Sequence, residues 1–323
     1  MKEIGSYLEL DLRNTGELFD GPSVCRLNTN RAGIYHCCRL YGVNKVYVPY
    51  YECSTVRDFL MKKGIEVVYY SIDRHFVPEP FEQENGTAVI VVNYFGIMSE
   101  KHIEETVRRF KNVIIDNAQA LYARPNMNAL NVYSPRKFIG VPDGGYVVGY
   151  DVNRFSEEYS EDKSSETCDF LLKRHEIGGS AAYADRMKNE KRIDASDIHT
   201  MSPLSLAILK NAPYRSIKSK RRKNFDLACK LYDSFNTIDP REYYDSDCVP
   251  FVYPLVVKDK NLVQKLAQEK IYTGRWWNYL LKETPKDSFE HYMSTYMVPI
   301  PIDQRYGKEE LQYVKTVVER LKK

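Results

Sequence analysis

Residues 112–121 read N-V-I-I-D-N-A-Q-A-L, and residues 131–150 read N-V-Y-S-P-R-K-F-I-G-V-P-D-G-G-Y-V-V-G-Y. The first run is apolar over 113–115 and ends on a carboxylate, Asp116. A second short strand, 130–133, leads into Ser134 and Lys137, and a Gly-Gly pair precedes a third, 146–148. Short apolar runs of this kind predict buried, parallel strands, and open α/β sheets place their chemistry just beyond the strand ends. At that place this sequence offers a carboxylate (Asp116), an amide (Gln119), a hydroxyl (Ser134) and an amine (Lys137).

Those four groups suit pyridoxal 5'-phosphate. A lysine amine condenses with its aldehyde, and an aspartate facing the pyridine nitrogen keeps that nitrogen protonated, which deepens the ring's pull on electrons. Taken singly, Asp116 could merely end a strand and Lys137 could be a solvated loop lysine. The order in which they follow the strands favours the site.

The order strand–Asp–x–x–Gln, strand–Ser–x–x–Lys, Gly-Gly–strand resembles the sugar aminotransferases of the DegT/DnrJ/EryC1/StrS family, among the fold type I pyridoxal phosphate enzymes. The family's D-x-A-Q stands here as Asp116-Asn117-Ala118-Gln119, and its lysine followed by G-E-G-G as Lys137 with Asp143-Gly144-Gly145. The family's F-S-F-x-x-x-K has become Y-S-P-R-K. The resemblance implies a three-layer α/β large domain with a mostly parallel sheet, residues 1–236, and a small C-terminal α+β domain, residues 237–323. It also implies a homodimer, with Lys137 and Asp116 catalytic. A lysine rather than a histidine at 137 argues against the family's dehydratase branch.

Working outward, Thr29 is a plausible N-cap for a helix that Gly42 would stop. A helix N-terminus offers free N–H groups to a phosphate. The family holds the cofactor phosphate here, which assigns Thr29, Asn30 and Arg31 to phosphate contact. An ordinary capped helix is the other reading. After Pro49 the family has an aromatic residue stacked on the pyridine ring. Counting places Cys53 there, with Tyr51 the nearest substitute. Arg136 would serve the phosphate or the donor carboxylate. Arg275-Trp276-Trp277 is either a substrate edge or small-domain packing. An asparagine three residues before the M-S motif reaches the partner's phosphate in the family. Ile198 stands there in this chain.

The remaining pattern alternates strands (6–12, 45–48, 66–70, 88–93) with helices (54–63 and one opening at Ser99), which predicts right-handed crossovers. Beyond residue 150 long charged helices follow, over 162–191 with a break at Gly178-Gly179, from Ser202-Pro203, and over 214–235. The basic run at 218–223 reads as a solvated helix face, because no aromatic platform interleaves it. A turn-rich stretch, 237–247, precedes strands at 251–257 and near 297–300, with helices at 261–269 and from 308.

Hydrophobic residues make up 43% of the 323, and the net charge of +3 argues for neither nucleic acid nor a membrane surface. No stretch approaches membrane-spanning length, and the N-terminus carries no apolar signal region. Seven cysteines without zinc-ligand spacing fit reduced thiols in a cytoplasm. The six histidines show no metal spacing. The expectation is an aminotransferase with small-molecule substrates, an amino-acid donor and a nucleotide-linked keto-sugar acceptor. The rival is a non-catalytic or regulatory protein on the same scaffold.

Overall fold

The computed structural model describes residues 4–322. Strands of four or five mostly apolar residues form its main sheet: β1 (Val24–Leu27), β2 (Lys45–Pro49), β3 (Glu66–Tyr70), β4 (Ala88–Val92), β5 (Val113–Asn117), β6 (Leu130–Tyr133) and β7 (Gly145–Val148). Their order across the sheet is β1-β7-β6-β5-β4-β2-β3. The five strands from β6 to β3 run parallel, and β7 is antiparallel to both β1 and β6. Every residue of β4, β5, β6 and β7 is buried, as strands covered on both faces require. The sheet is therefore the mostly parallel one that the alternation predicts.

Three helices connect the first strands: α1 (Asn30–Tyr41), α2 (Ser54–Lys62) and α3 (Glu100–Val107). The starts of α1 and α3 follow from their caps. The Thr29 Oγ1 accepts from the Ala32 N–H at 3.1 Å, and the Ser99 hydroxyl does the same for His102 at 3.2 Å. Gly42 ends α1 in the left-handed region, at φ 66°. After β7 come α4 (Asp169–Ile177), α5 (Tyr183–Ala195), α6 (Pro203–Lys210, capped by Ser202) and α7 (Tyr214–Tyr232). A second, antiparallel sheet pairs β8 (Val252–Val256) with β9 (Met297–Pro301), flanked by α8 (Leu262–Gln268), α9 (Leu280–Glu283), α10 (Phe289–Tyr296) and α11 (Lys308–Leu321). Helix α7 packs against α11 and β8 and so ties the C-terminal part to the rest.

Two sequence expectations fail. The alternating stretch 6–12 is not a strand: Tyr7 and Leu8 are more than nine-tenths exposed, and nothing pairs with the segment among the described residues. Alternation shows that a strand could have an apolar face, but not that a neighbour exists to cover it. The basic run on α7 is not wholly solvated either. Arg221 is 2% exposed, its guanidinium donating to the Phe251 carbonyl at 2.9 Å and to Gln304 Oε1 at 3.0 Å.

Candidate active site

The parallel strands end together, and Asp116 sits at that edge, opposite Val92 of β4 and Val132 of β6. It is 2% exposed. Its Oδ1 accepts from the Ala118 N–H at 2.7 Å, and the Asn30 amide donates to both carboxylate oxygens at 3.1 Å. Burial raises its pKa, while the Lys137 amine and these donors work against the rise. The carboxyl thus sits where water does not reach, among groups that favour its charge.

Lys137 is exposed at the turn that follows β6. This tight turn, Pro135–Lys137, brings the amine near enough for its charge to act on Asp116, with Nζ 5.7 Å from the centre of the Phe251 ring. Two groups from outside the sheet hold this turn. The Gln304 amide donates to the Phe138 carbonyl at 2.8 Å, and the Arg221 guanidinium lies 4.5 Å from the Phe138 ring centre and reaches the Lys137 carbonyl at 3.5 Å. Burial lowers the Arg221 pKa to about 10.

The N-terminus of α1 closes the floor. The Gly144 N–H bonds the Asn28 carbonyl at 2.6 Å, and a Cβ on Gly145 would stand 2.6 Å from the Thr29 carbonyl oxygen. Only a glycine lets β7 start so close to the helix end. The first-turn N–H groups of Asn30 and Arg31 precede the first intrahelical hydrogen bond, as at any α-helix start. Ser134, 6% exposed, does not cap the turn that follows it. Asp143, beside the glycines, is enclosed and accepts from Ser202 Oγ at 2.5 Å and Ser205 Oγ at 2.9 Å, which fixes the start of α6.

Asp116, Lys137 and the α1 terminus therefore lie near one another, with Ser134 buried at the end of β6, while other residues singled out from the sequence are engaged elsewhere. The Gln119 Oε1 accepts from the Phe95 N–H at 2.8 Å, supporting Phe95 in a left-handed conformation at φ 58°. Arg31 bonds Asp194 at 2.9 Å and the Ile193 carbonyl, turning its side chain toward α5. Arg136 pairs with Glu190 at 2.6 Å. Tyr51 is wholly enclosed, its ring 4.4 Å from Trp277 and 5.6 Å from Tyr94, and so has no free face. Arg275 donates to main-chain carbonyls, among them that of Thr295 at 2.8 Å, and Trp276 stacks between Phe95 and Phe251. Of the two readings of that segment, these contacts are packing.

Pyridoxal phosphate fits this donor set in its anchors: a buried carboxylate, an amine facing it, and a helix end kept open by glycine. Two departures stand beside that fit. The Asn30 amide occupies both oxygens of Asp116, so a ring nitrogen must share or displace it. Cys53 is half-buried with Sγ 3.1 Å from Thr55 Oγ1, and no aromatic ring stands in its place.

Comparison with solved structures extends over nearly the whole chain. The sugar aminotransferase CalS13 from Micromonospora echinospora matches at a TM-score of 0.63 and 15% identity, covering 93% of this chain and 88% of that one. This chain has the fold of a sugar aminotransferase. The PMP form of a putative sugar aminotransferase, Spr1654 from Streptococcus pneumoniae, gives 0.62 at 14% identity over 93% and 88% of the two chains. A DegT DnrJ EryC1 StrS aminotransferase from Brucella abortus gives 0.60 at 14% identity over 92% and 85%. No family model and no curated protein matches the sequence. The aminotransferase fold is thus the one the central motifs resemble. Among the described residues no helix is long and apolar enough to cross a membrane.

Proposed function

We propose that the protein is a pyridoxal phosphate-dependent aminotransferase of the DegT/DnrJ/EryC1/StrS type, moving an amino group from an amino acid to a nucleotide-linked keto sugar. The observation that carries this reading is the buried Asp116 at the end of the parallel strands, within reach of the Lys137 charge. The fold neighbours, sugar aminotransferases by name, support the substrate class. The proposed protein is a cytoplasmic homodimer, each subunit built of a cofactor-binding domain (1–236) and a small domain (237–323).

When bound, pyridoxal phosphate supplies an aldehyde that captures amines and a ring that withdraws electrons from the attached carbon. Lys137 would hold that aldehyde in the resting protein and afterwards carry the proton to and from the substrate carbon. Asp116 would keep the ring nitrogen protonated through a charge-assisted hydrogen bond. Ser134 and the first-turn N–H groups of α1 would bind the phosphate, and the free side of the Gln119 amide would face the ring's oxygen. Arg221 and Gln304 act at one remove, by fixing the turn that carries Lys137.

The second reading, a non-catalytic protein on the same scaffold, is favoured by one observation: the Asn30 amide already satisfies the carboxylate that the ring nitrogen needs. Visible absorption during titration with pyridoxal phosphate, followed by addition of glutamate, separates the two. A yellow complex bleached by the amino donor is expected. A protein that takes up no cofactor is the scaffold.

A further inference from the structure

Glu52 has no role in the chemistry above, yet it sits against its centre. It belongs to a turn just past β2 that hydroxyl groups pin from outside. The Tyr94 hydroxyl donates to the Tyr51 carbonyl at 2.9 Å, and the Tyr279 hydroxyl to the carbonyls of Tyr50, at 2.9 Å, and of Glu52. The turn drives the Glu52 side chain inward until it is 5% exposed and lies against Asp116. Its Oε1 accepts from the Cys53 N–H at 2.6 Å, and its Oε2 has no partner in the protein.

Two ionised carboxylates offer only acceptors to each other, and two like charges out of water do not both persist. The other charged group facing Glu52 is the Lys137 amine, from the turn after β6. Tyr70 of β3, together with Tyr94 and Tyr279, approaches as neutral phenols. A single lysine offsets one negative charge. Asp116, with the Ala118 N–H and the Asn30 amide, is the better-supplied anion. Glu52 has one N–H donor and takes the proton, which turns an orphaned acceptor into a donor. Burial and then the Asp116 charge both push its acidity in that direction.

We propose that Glu52 is a proton-holding positioning residue, neutral at physiological pH and donating its O–H to Asp116, so that the pair presents one negative charge to a monocationic ring. The role toward a ring rests on the proposed function, whereas the proton between the carboxyls does not. The folded state holds a proton that the unfolded chain releases above about pH 4.3, so this group's contribution to stability falls as pH rises from there toward its folded pKa. Glu52→Gln keeps the shape and a donor but cannot titrate.

The test uses the full chain freed of bound small molecules. The melting temperature of Glu52→Gln relative to the parent should rise progressively between pH 5 and pH 8. A difference that does not change with pH overturns the proposal. Infrared spectroscopy at neutral pH gives a second measure, independent of whether the variant folds well. The C=O stretch of a protonated carboxyl should appear in the parent and be missing in Glu52→Gln. Its absence from the parent, or its persistence in Glu52→Gln, would overturn the assignment. Pyridoxal phosphate plays no part in either measurement. A protein that shows this proton but never binds the cofactor contradicts the proposed function and not the role of Glu52 beside Asp116.

Discussion

At the residue scale, Asp116 is where charge has a consequence for chemistry. Asp116→Asn keeps the shape and removes the charge, so pyridoxal phosphate should still bind. Transamination should fall by about 10²-fold or more, the scale of a lost preorganised electrostatic stabiliser. Steady-state rates with glutamate check this, and a parent-like rate would contradict the role given to the carboxylate. Arg221 tests support at one remove. Arg221→Met leaves the carbonyls of Phe251 and Pro250 without their buried donor and should cost about 2–4 kcal/mol, measured by urea unfolding. His36 gives a pH dependence. It is enclosed between the Val152 carbonyl at 2.7 Å and the Tyr159 hydroxyl at 2.8 Å, and burial lowers its pKa. The unfolded chain therefore binds a proton near pH 6.5 that the folded protein declines, so stability should decrease as pH falls below that value. In His36→Gln the loss between pH 7 and pH 5 should be smaller by this contribution. Asp116 and Lys137 were legible because the spacing of strand ends places them. Glu52 and Arg221 were not, because a glutamate beside a turn and an arginine in a basic run look solvated until their neighbours are known.

At the scale of elements, caps and strand runs carried the most information. Thr29, Ser99 and Ser202 each cap the helix that their place in the sequence predicts, and Gly42 stops α1, because these are local hydrogen bonds and backbone conformations. The stretch 6–12 misleads because pairing is non-local. Strand β1, only Val-Cys-Arg-Leu, is too short to show a period. The junction of β7 with α1 is the element contact on which the proposed phosphate site depends. A methyl group on Gly145 meets rigid backbone at Thr29, so Gly145→Ala should cost about 1–3 kcal/mol, as overpacking does. It should also weaken pyridoxal phosphate binding by moving the first turn of α1. Denaturation and absorbance titration of the same sample read both effects. Unchanged cofactor affinity with reduced stability would separate the helix end from the binding site.

At the scale of the whole molecule, the sheet, the C-terminal unit and α7 bring together groups far apart in the chain: Asn30, Glu52, Asp116, Lys137, Arg221 and Gln304. The proposed homodimer is expected to appear as twice the chain mass in light scattering at low micromolar protein. A monomer that still transaminates would show that one chain completes the site. Lys137 is the residue proposed to carry the cofactor. Borohydride reduction of the protein with pyridoxal phosphate, followed by peptide mapping, tests it most directly. The pyridoxyl group is expected on Lys137, with no label in Lys137→Ala. A label on another lysine, or no label at all, would rule out that role for Lys137.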